Sequence, residues 1–94
     1  MSQEQFTVYI IRNRVGRLYI GQTKRLDART KEHAGSRGAA FVRQYGGGEV
    51  VYREILSTLK QARTREQQLK RWSRAKKEAL IRGDMGTLIV LAKG

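Results

Sequence analysis

The chain has 94 residues, 39% hydrophobic and 30% charged, which suits one small globular domain near the lower size limit for an unaided core and excludes a disordered tail. No cysteine and a single histidine exclude a disulfide framework and a thiolate zinc site; any metal must be held mainly by carboxylates and water, as suits a hard cation such as Mg²⁺. Twenty Lys and Arg against eight Asp and Glu give a net charge of +12, a field that attracts polyanions and points to nucleic acid as partner.

The polar residues Met1–Gln5 form no signal-peptide n-region, and no apolar run approaches membrane-spanning length, so a cytoplasmic protein is expected. Phe6–Arg12 and Arg17–Gln22 read as strands rich in Val, Ile, Tyr and Leu. Between them, Asn13-Arg14-Val15-Gly16 has the residues of a type I turn, with Gly16 left-handed and Asn13 facing Arg17. That register pairs Ile10 with Ile20 and Arg12 with Leu18, so Val8, Ile10, Leu18 and Ile20 form one apolar face. The other face carries Tyr9, Ile11, Tyr19 and Gly21, with Tyr9 opposite Gly21 and diagonal to Tyr19. A slip of one residue would separate the two phenols.

Leu26 to about Gly35 reads as a short helix in which Arg29 and His33, four apart, are neighbours. Ser36–Gly48 admits another short helix over Ala39–Tyr45, closed by Gly46-Gly47-Gly48, without requiring one. Glu49–Leu56 is the third strand. Leu59–Trp72 reads as a helix with a stripe of Leu59, Ala62, Leu69 and Trp72. Ser73 can cap a further helix through Ile81, which Gly83 terminates. Leu88–Ala92 is apolar and expected to pack on the core, its conformation open. No repeat, low-complexity stretch or linker divides the sequence, so residues 1–94 read as a single domain.

With only eight acidic residues, metal ligands can be considered one by one. Glu4 and Asp84 fall in termini or loops, Glu49 and Glu54 in the third strand, and Asp27 and Glu32 beside Arg29. Glu78, next to Lys76 and Lys77, reads as part of a solvated charged face. Glu66 lies beside the apolar stripe of its helix, but Arg65 is placed comparably, and taken alone Glu66 reads as a helix-surface carboxylate paired with Arg63 or Lys70. Taken singly, His33 reads as structural and Tyr9 and Tyr19 as ordinary strand aromatics.

The ordered combination says more. Val8-Tyr9-Ile10, Tyr19-Ile20-Gly21, Leu26-x-x-Arg29-x-x-x-His33 and then a helix bearing Glu66 together resemble the GIY-YIG nuclease family. The resemblance runs from about Phe6 to Ile81. Its later part, Arg65-Glu66-Gln67-Gln68-Leu69-Lys70 and Ser73 through Ile81, is similar to the small stand-alone bacterial branch. Val8 replaces the first motif glycine, Ala28 stands where some members carry a basic residue, and there is no asparagine beyond Asn13. Phe41 and Val42 occupy a segment where that branch often shows Tyr and Thr.

The resemblance implies an α+β fold with a three-stranded antiparallel sheet flanked by helices. It also implies metal-dependent hydrolysis of DNA phosphodiesters using Mg²⁺ or Mn²⁺. Carried over residue by residue, Tyr9 is the base for the attacking water, Tyr19 positions water or phosphate, and Arg29 braces the phosphate. His33 shuttles a proton or orients Tyr9, and Glu66 is the metal ligand. With little room for a recognition module, low sequence specificity and a preference for flapped, branched or single-stranded structures are expected. The rival reading is a non-catalytic basic DNA- or RNA-binding module of the same fold.

Overall fold

The chain reverses first at Asn13. In the computed structural model, which describes residues 5–24 and 42–93, Gly16 donates to the Asn13 carbonyl at 3.0 Å and Asn13 donates to the Arg17 carbonyl at 2.9 Å. Gly16 has φ 87°, the left-handed conformation that a three-residue hairpin loop requires at this point. The Asn13 side chain reinforces the turn, its Oδ1 accepting from the amides of Val15 at 3.1 Å and Arg17 at 2.8 Å.

This turn sets the register of β1 (Phe6–Arg12) and β2 (Leu18–Thr23), which pairs Ile10 with Ile20, Arg12 with Leu18 and Tyr9 with Gly21, as the sequence predicts. β3 (Glu49–Leu56) pairs antiparallel with the far side of β1, giving one three-stranded sheet in the order β2-β1-β3. The β1–β3 register shifts between Ile10 and Ile11, so that Ile10 faces Tyr52 while Ile11 faces Val50 and Val51 is the extra residue. The sequence-based reading buried one face of the hairpin. The central strand in fact buries both, with every residue from Phe6 to Ile11 covered.

Three helices follow among the described residues. α1 (Leu59–Arg71) starts where Thr58 accepts the Gln61 amide at 3.1 Å, and it ends at Trp72, whose backbone is extended. α2 (Arg74–Arg82) is capped by Ser73, which accepts the Lys76 amide at 3.2 Å, and closed by left-handed Gly83 at φ 72°. Both end signals are those read from the sequence, and the helix runs one residue beyond Ile81. The apolar C-terminal segment becomes the second half of α3 (Met85–Lys93), whose first turn is closed by Asp84 accepting the Thr87 amide at 3.0 Å.

The core on the helix side consists of Phe6 and Val8 from β1 against Ala62 and Leu69 from α1, with Ile20, Leu56, Trp72 and Leu80 packed around them. Ala62 and Leu69 are fully buried members of the predicted stripe; Leu59, at the helix start, is 36% exposed. Burying one such leucine side chain contributes about 1.5–3 kcal/mol. At the helix end Trp72 receives Arg65 at 5.2 Å and Lys76 at 5.4 Å from its ring centre.

Glu78 overturns one expectation. It does not belong to a solvated face with Lys76 and Lys77. Its two carboxylate oxygens accept from Arg12 Nη1 and Nη2 at 2.8 and 2.7 Å, and Arg74 adds a contact at 3.2 Å. This fork ties α2 to the end of β1, and Arg74 also donates to the Gly16 carbonyl at 2.7 Å. The Arg12 hydrogen bonds hold the Glu78 carboxyl far below its ordinary value of 4.5, at about 2, against burial, which acts the other way. Because the folded-state value is depressed, the stabilisation is fully present above about pH 4.5 and is lost as pH falls through about 2.

With both side chains partly exposed, solvent screening limits the worth of the pair to about 1 kcal/mol. Glu78→Gln should therefore lower the melting temperature at pH 7 by about 4–8 °C. It should also flatten the acid side of the stability profile below about pH 4.5, measured by circular dichroism melts at stepped pH. An unchanged acid profile in the variant would show that the fork adds nothing to stability.

Candidate functional site

The second face of the sheet gathers the side chains that chemistry would use. Tyr9 and Tyr19 stand on this face because the Asn13 turn fixes their register, and a third phenol joins them. Tyr45 packs its ring against both, edge-on to Tyr9 at 6.2 Å between centroids and tilted against Tyr19 at 5.5 Å. Its hydroxyl lies 2.6 Å from that of Tyr9 in a hydrogen bond in which either oxygen can donate. Ile11, Val42 and Val50 complete the cluster. Tyr9 is only 3% exposed, whereas Tyr19 and Tyr45 are half-buried. Arg53 stands directly across from Tyr9 on β3.

Two local features hold Tyr45 in place. The turn after Val42 is closed by Tyr45 and Gly47 donating to the Val42 carbonyl at 2.9 and 3.2 Å, and the Asn13 side-chain amide donates to the Tyr45 carbonyl at 3.0 Å. The chain then escapes through Gly46, Gly47 and Gly48, with φ of 94°, 79° and 95°. At Gly48 a Cβ would collide with the Arg12 carbonyl and lie 2.6 Å from Asn13 Cα, so backbone passes against backbone with no room for a side chain. The sequence-based reading used the glycine run to end a helix and did not foresee that it delivers Tyr45 to Tyr9.

The fourth tyrosine, Tyr52, is separate. It pairs with Ile10, on the helix side, and donates to Glu54 at 2.7 Å, while Arg65 binds the same carboxylate at 3.0 Å. Burial first, and the Glu54 hydrogen bond second, push the Tyr52 phenol up to about 12, which fits a structural hydroxyl and not an acid–base group.

Glu66 belongs to the helix layer. On α1, Ala62 and Leu69 point at the sheet, so at 100° per residue Arg65 and Glu66 flank the buried stripe on opposite sides. Arg65 reaches Glu54 on β3, so the Glu66 flank faces the opposite edge of the sheet, toward β2. The carboxylate is 19% exposed and pairs with Lys70 at 2.9 Å, one of the two partners anticipated from spacing. Arg29 and His33 lie outside the described residues. Among the described residues, therefore, Tyr9 and Tyr19 come together with Tyr45, while Glu66 stands on the other side of the sheet, on the flank turned toward the strand that carries Tyr19.

Basic side chains line two depressions, one of them beside Tyr19. An open depression of about 350 Å³ beside Tyr19 is lined by Arg17, Leu18, Arg74 and Lys77. A second, of about 370 Å³, lies over the glycine run between Arg14 and Arg43. Among the described residues no three His, Cys, Asp or Glu groups come together. A hard divalent cation that keeps most of its waters needs few protein oxygens, and Glu66 is a carboxylate that could hold one here. The carboxylate already attracts the Lys70 ammonium, which is 54% exposed and can move aside.

The α+β fold thus carries two hairpin tyrosines on one face of a three-stranded antiparallel sheet. Residues 5–79 match the family model described as the GIY-YIG catalytic domain. The chain belongs to the GIY-YIG family, an endonuclease superfamily that acts on nucleic acids. It is similar to UPF0213 proteins of Staphylococcus aureus strains Mu3 and Mu50, each 35% identical over 75 residues that cover 80% of this chain and 92% of the relative. It also resembles the solution NMR structure of a UPF0213 protein from Bacillus halodurans, with 32% identity, 85% of each chain covered and a TM-score of 0.57. Among the described residues no helix is long and apolar enough to cross a membrane.

Proposed function

We propose that this protein is a metal-dependent endonuclease that hydrolyses DNA phosphodiester bonds, selecting structure more than sequence, in the cytoplasm. The observation that carries the reading is the placement of Tyr9 and Tyr19 on one face of the hairpin, each against Tyr45 and with basic side chains beside Tyr19, in a chain of this family. All 94 residues are read as one such domain.

A phosphodiester resists attack because its charge repels nucleophiles, so the site must both activate water and offset charge in the transition state. Tyr9, as phenolate, takes a proton from the attacking water while the new bond to phosphorus forms and the bond to the leaving sugar oxygen breaks. Tyr19, half-buried beside the Arg17–Arg74–Lys77 depression, orients the water or a phosphate oxygen. Arg29 braces the phosphate with its planar fork, and His33 carries a proton or orients Tyr9. Glu66 would hold the metal in place of its contact with Lys70. When bound, Mg²⁺ or Mn²⁺ supplies Lewis-acid stabilisation of the phosphate and the leaving oxygen. The surrounding arginines and lysines hold the phosphate backbone and make binding weaken steeply with salt.

The test is cleavage of labelled duplex, flap, branched and single-stranded DNA with Mg²⁺ or with EDTA. The expected result is metal-dependent cutting, with branched or flapped substrates cut faster than random duplex. Tight, salt-sensitive binding without cutting under any metal would replace this reading with a basic DNA- or RNA-binding module. Equal binding and cutting of junction and duplex would remove the structural preference alone.

A further inference from the structure

We propose that Tyr45 is a positioning residue for Tyr9, sharing a proton with it and holding its phenol oxygen in the form that accepts a proton. The inference rests on the nuclease reading for its consequence in catalysis, but the geometry stands apart from it. The two hydroxyls are 2.6 Å apart, short for hydrogen-bonded oxygens, and either can donate. A phenol that donates to a neighbouring phenolate favours the charged form of its partner. Tyr9 is 3% exposed and Tyr45 is half-buried, so Tyr45 is the more accessible of the two phenols.

Tyr45 is not placed there by general packing. Its carbonyl is held by Asn13, the residue that also sets the hairpin register, and the three left-handed glycines admit the turn that presents it. The residues that align Tyr9 with Tyr19 thus also fix the partner of Tyr9. Among the described residues, the titratable and charged groups facing Tyr9 include Tyr19 from β2, Arg53 from β3 and Tyr45 from the turn. Burial opposes charge on Tyr9, and the charge of Arg53 and the hydrogen bond from Tyr45 act the other way.

The test is NMR titration of ¹³C-labelled tyrosine rings in the wild type and in Tyr45→Phe, read beside the pH dependence of DNA cleavage. In the wild type, Tyr9 and Tyr45 should lose their protons in two steps at least about one pH unit apart, as expected for a coupled pair. In Tyr45→Phe, which keeps the ring contacts, the Tyr9 midpoint should rise by about one unit, and cleavage below it should fall about ten-fold. The acidic limb of the rate profile should move upward by the same amount. A Tyr9 midpoint unchanged or lowered in the variant overturns the proposal, as does a wild-type pair that titrates in a single unsplit step. The wild-type titration decides the matter even if Tyr45→Phe does not fold. If the protein cuts no DNA, the titrations still test the Tyr9–Tyr45 coupling, so the two failures are told apart.

Discussion

Glu66→Ala should abolish metal-dependent cleavage, by about a thousand-fold or more, while leaving DNA affinity within about two-fold of the wild type. The size follows from the chemistry: loss of the Lewis acid forfeits several kcal/mol of transition-state stabilisation, and about 4 kcal/mol corresponds to a thousand-fold. Affinity is set elsewhere. Removing one carboxylate raises the formal charge from +12 to +13, which leaves the attraction for a polyanion intact. Nor should the fold suffer. The variant loses one helix-surface pair with Lys70, worth about 0.3–0.5 kcal/mol, and gains the better helix former.

Three measurements on one preparation check this: initial cleavage rates over a range of Mg²⁺ and Mn²⁺ concentrations, Kd for a labelled flap, and a thermal melt. A variant that cuts at the wild-type rate would show that Glu66 is not the metal ligand. Loss of cutting together with loss of binding would instead assign Glu66 to the nucleic-acid surface.

What could be read from the residues alone divides along sequence separation. The hairpin was legible because its information is local: Asn13 and Gly16 choose the turn, the turn chooses the register, and the register assigns Tyr9 and Tyr19 to one face. The helix ends at Ser73 and Gly83 were legible for the same reason, since a cap is a contact within a few residues. The pairing of Glu66 with Lys70 is likewise an i,i+4 event. Tyr45 and Glu78 were not legible. Their partners, Tyr9 and Arg12, lie 36 and 66 positions away, and nothing in the neighbourhood of either residue encodes that distance. Glu78 was misread because its neighbours Lys76 and Lys77 offered an adequate local explanation. Arg29 and His33 rest on spacing within a motif that falls outside the described residues.

Gly21→Ala should both destabilise the protein and cripple the proposed site, because this glycine is needed for space and not for backbone freedom. A Cβ at position 21 would lie 2.6 Å from Tyr9 Cζ and closer still to its hydroxyl oxygen. Tyr9 cannot easily yield. Its ring is 3% exposed, stacked edge-on against Tyr45 and anchored by the hydroxyl pair. Relief requires tilting the ring or parting β1 from β2 at the Tyr9–Gly21 pair. Overpacking of this kind costs about 1–3 kcal/mol, and displacement of a reacting oxygen by about 1 Å costs about a hundred-fold in rate. Melts and initial rates, the latter taken well below the melting temperature, separate the two effects. A second background locates the cause. In Tyr9→Leu the ring atoms that the added methyl group would strike are gone, so the same Gly21→Ala change should there cost less than about 0.5 kcal/mol. Equal destabilisation in both backgrounds would place the requirement for glycine in the strand backbone and detach it from Tyr9. Dependence on Tyr9 would mean that the glycine of the second motif triplet serves the tyrosine of the first.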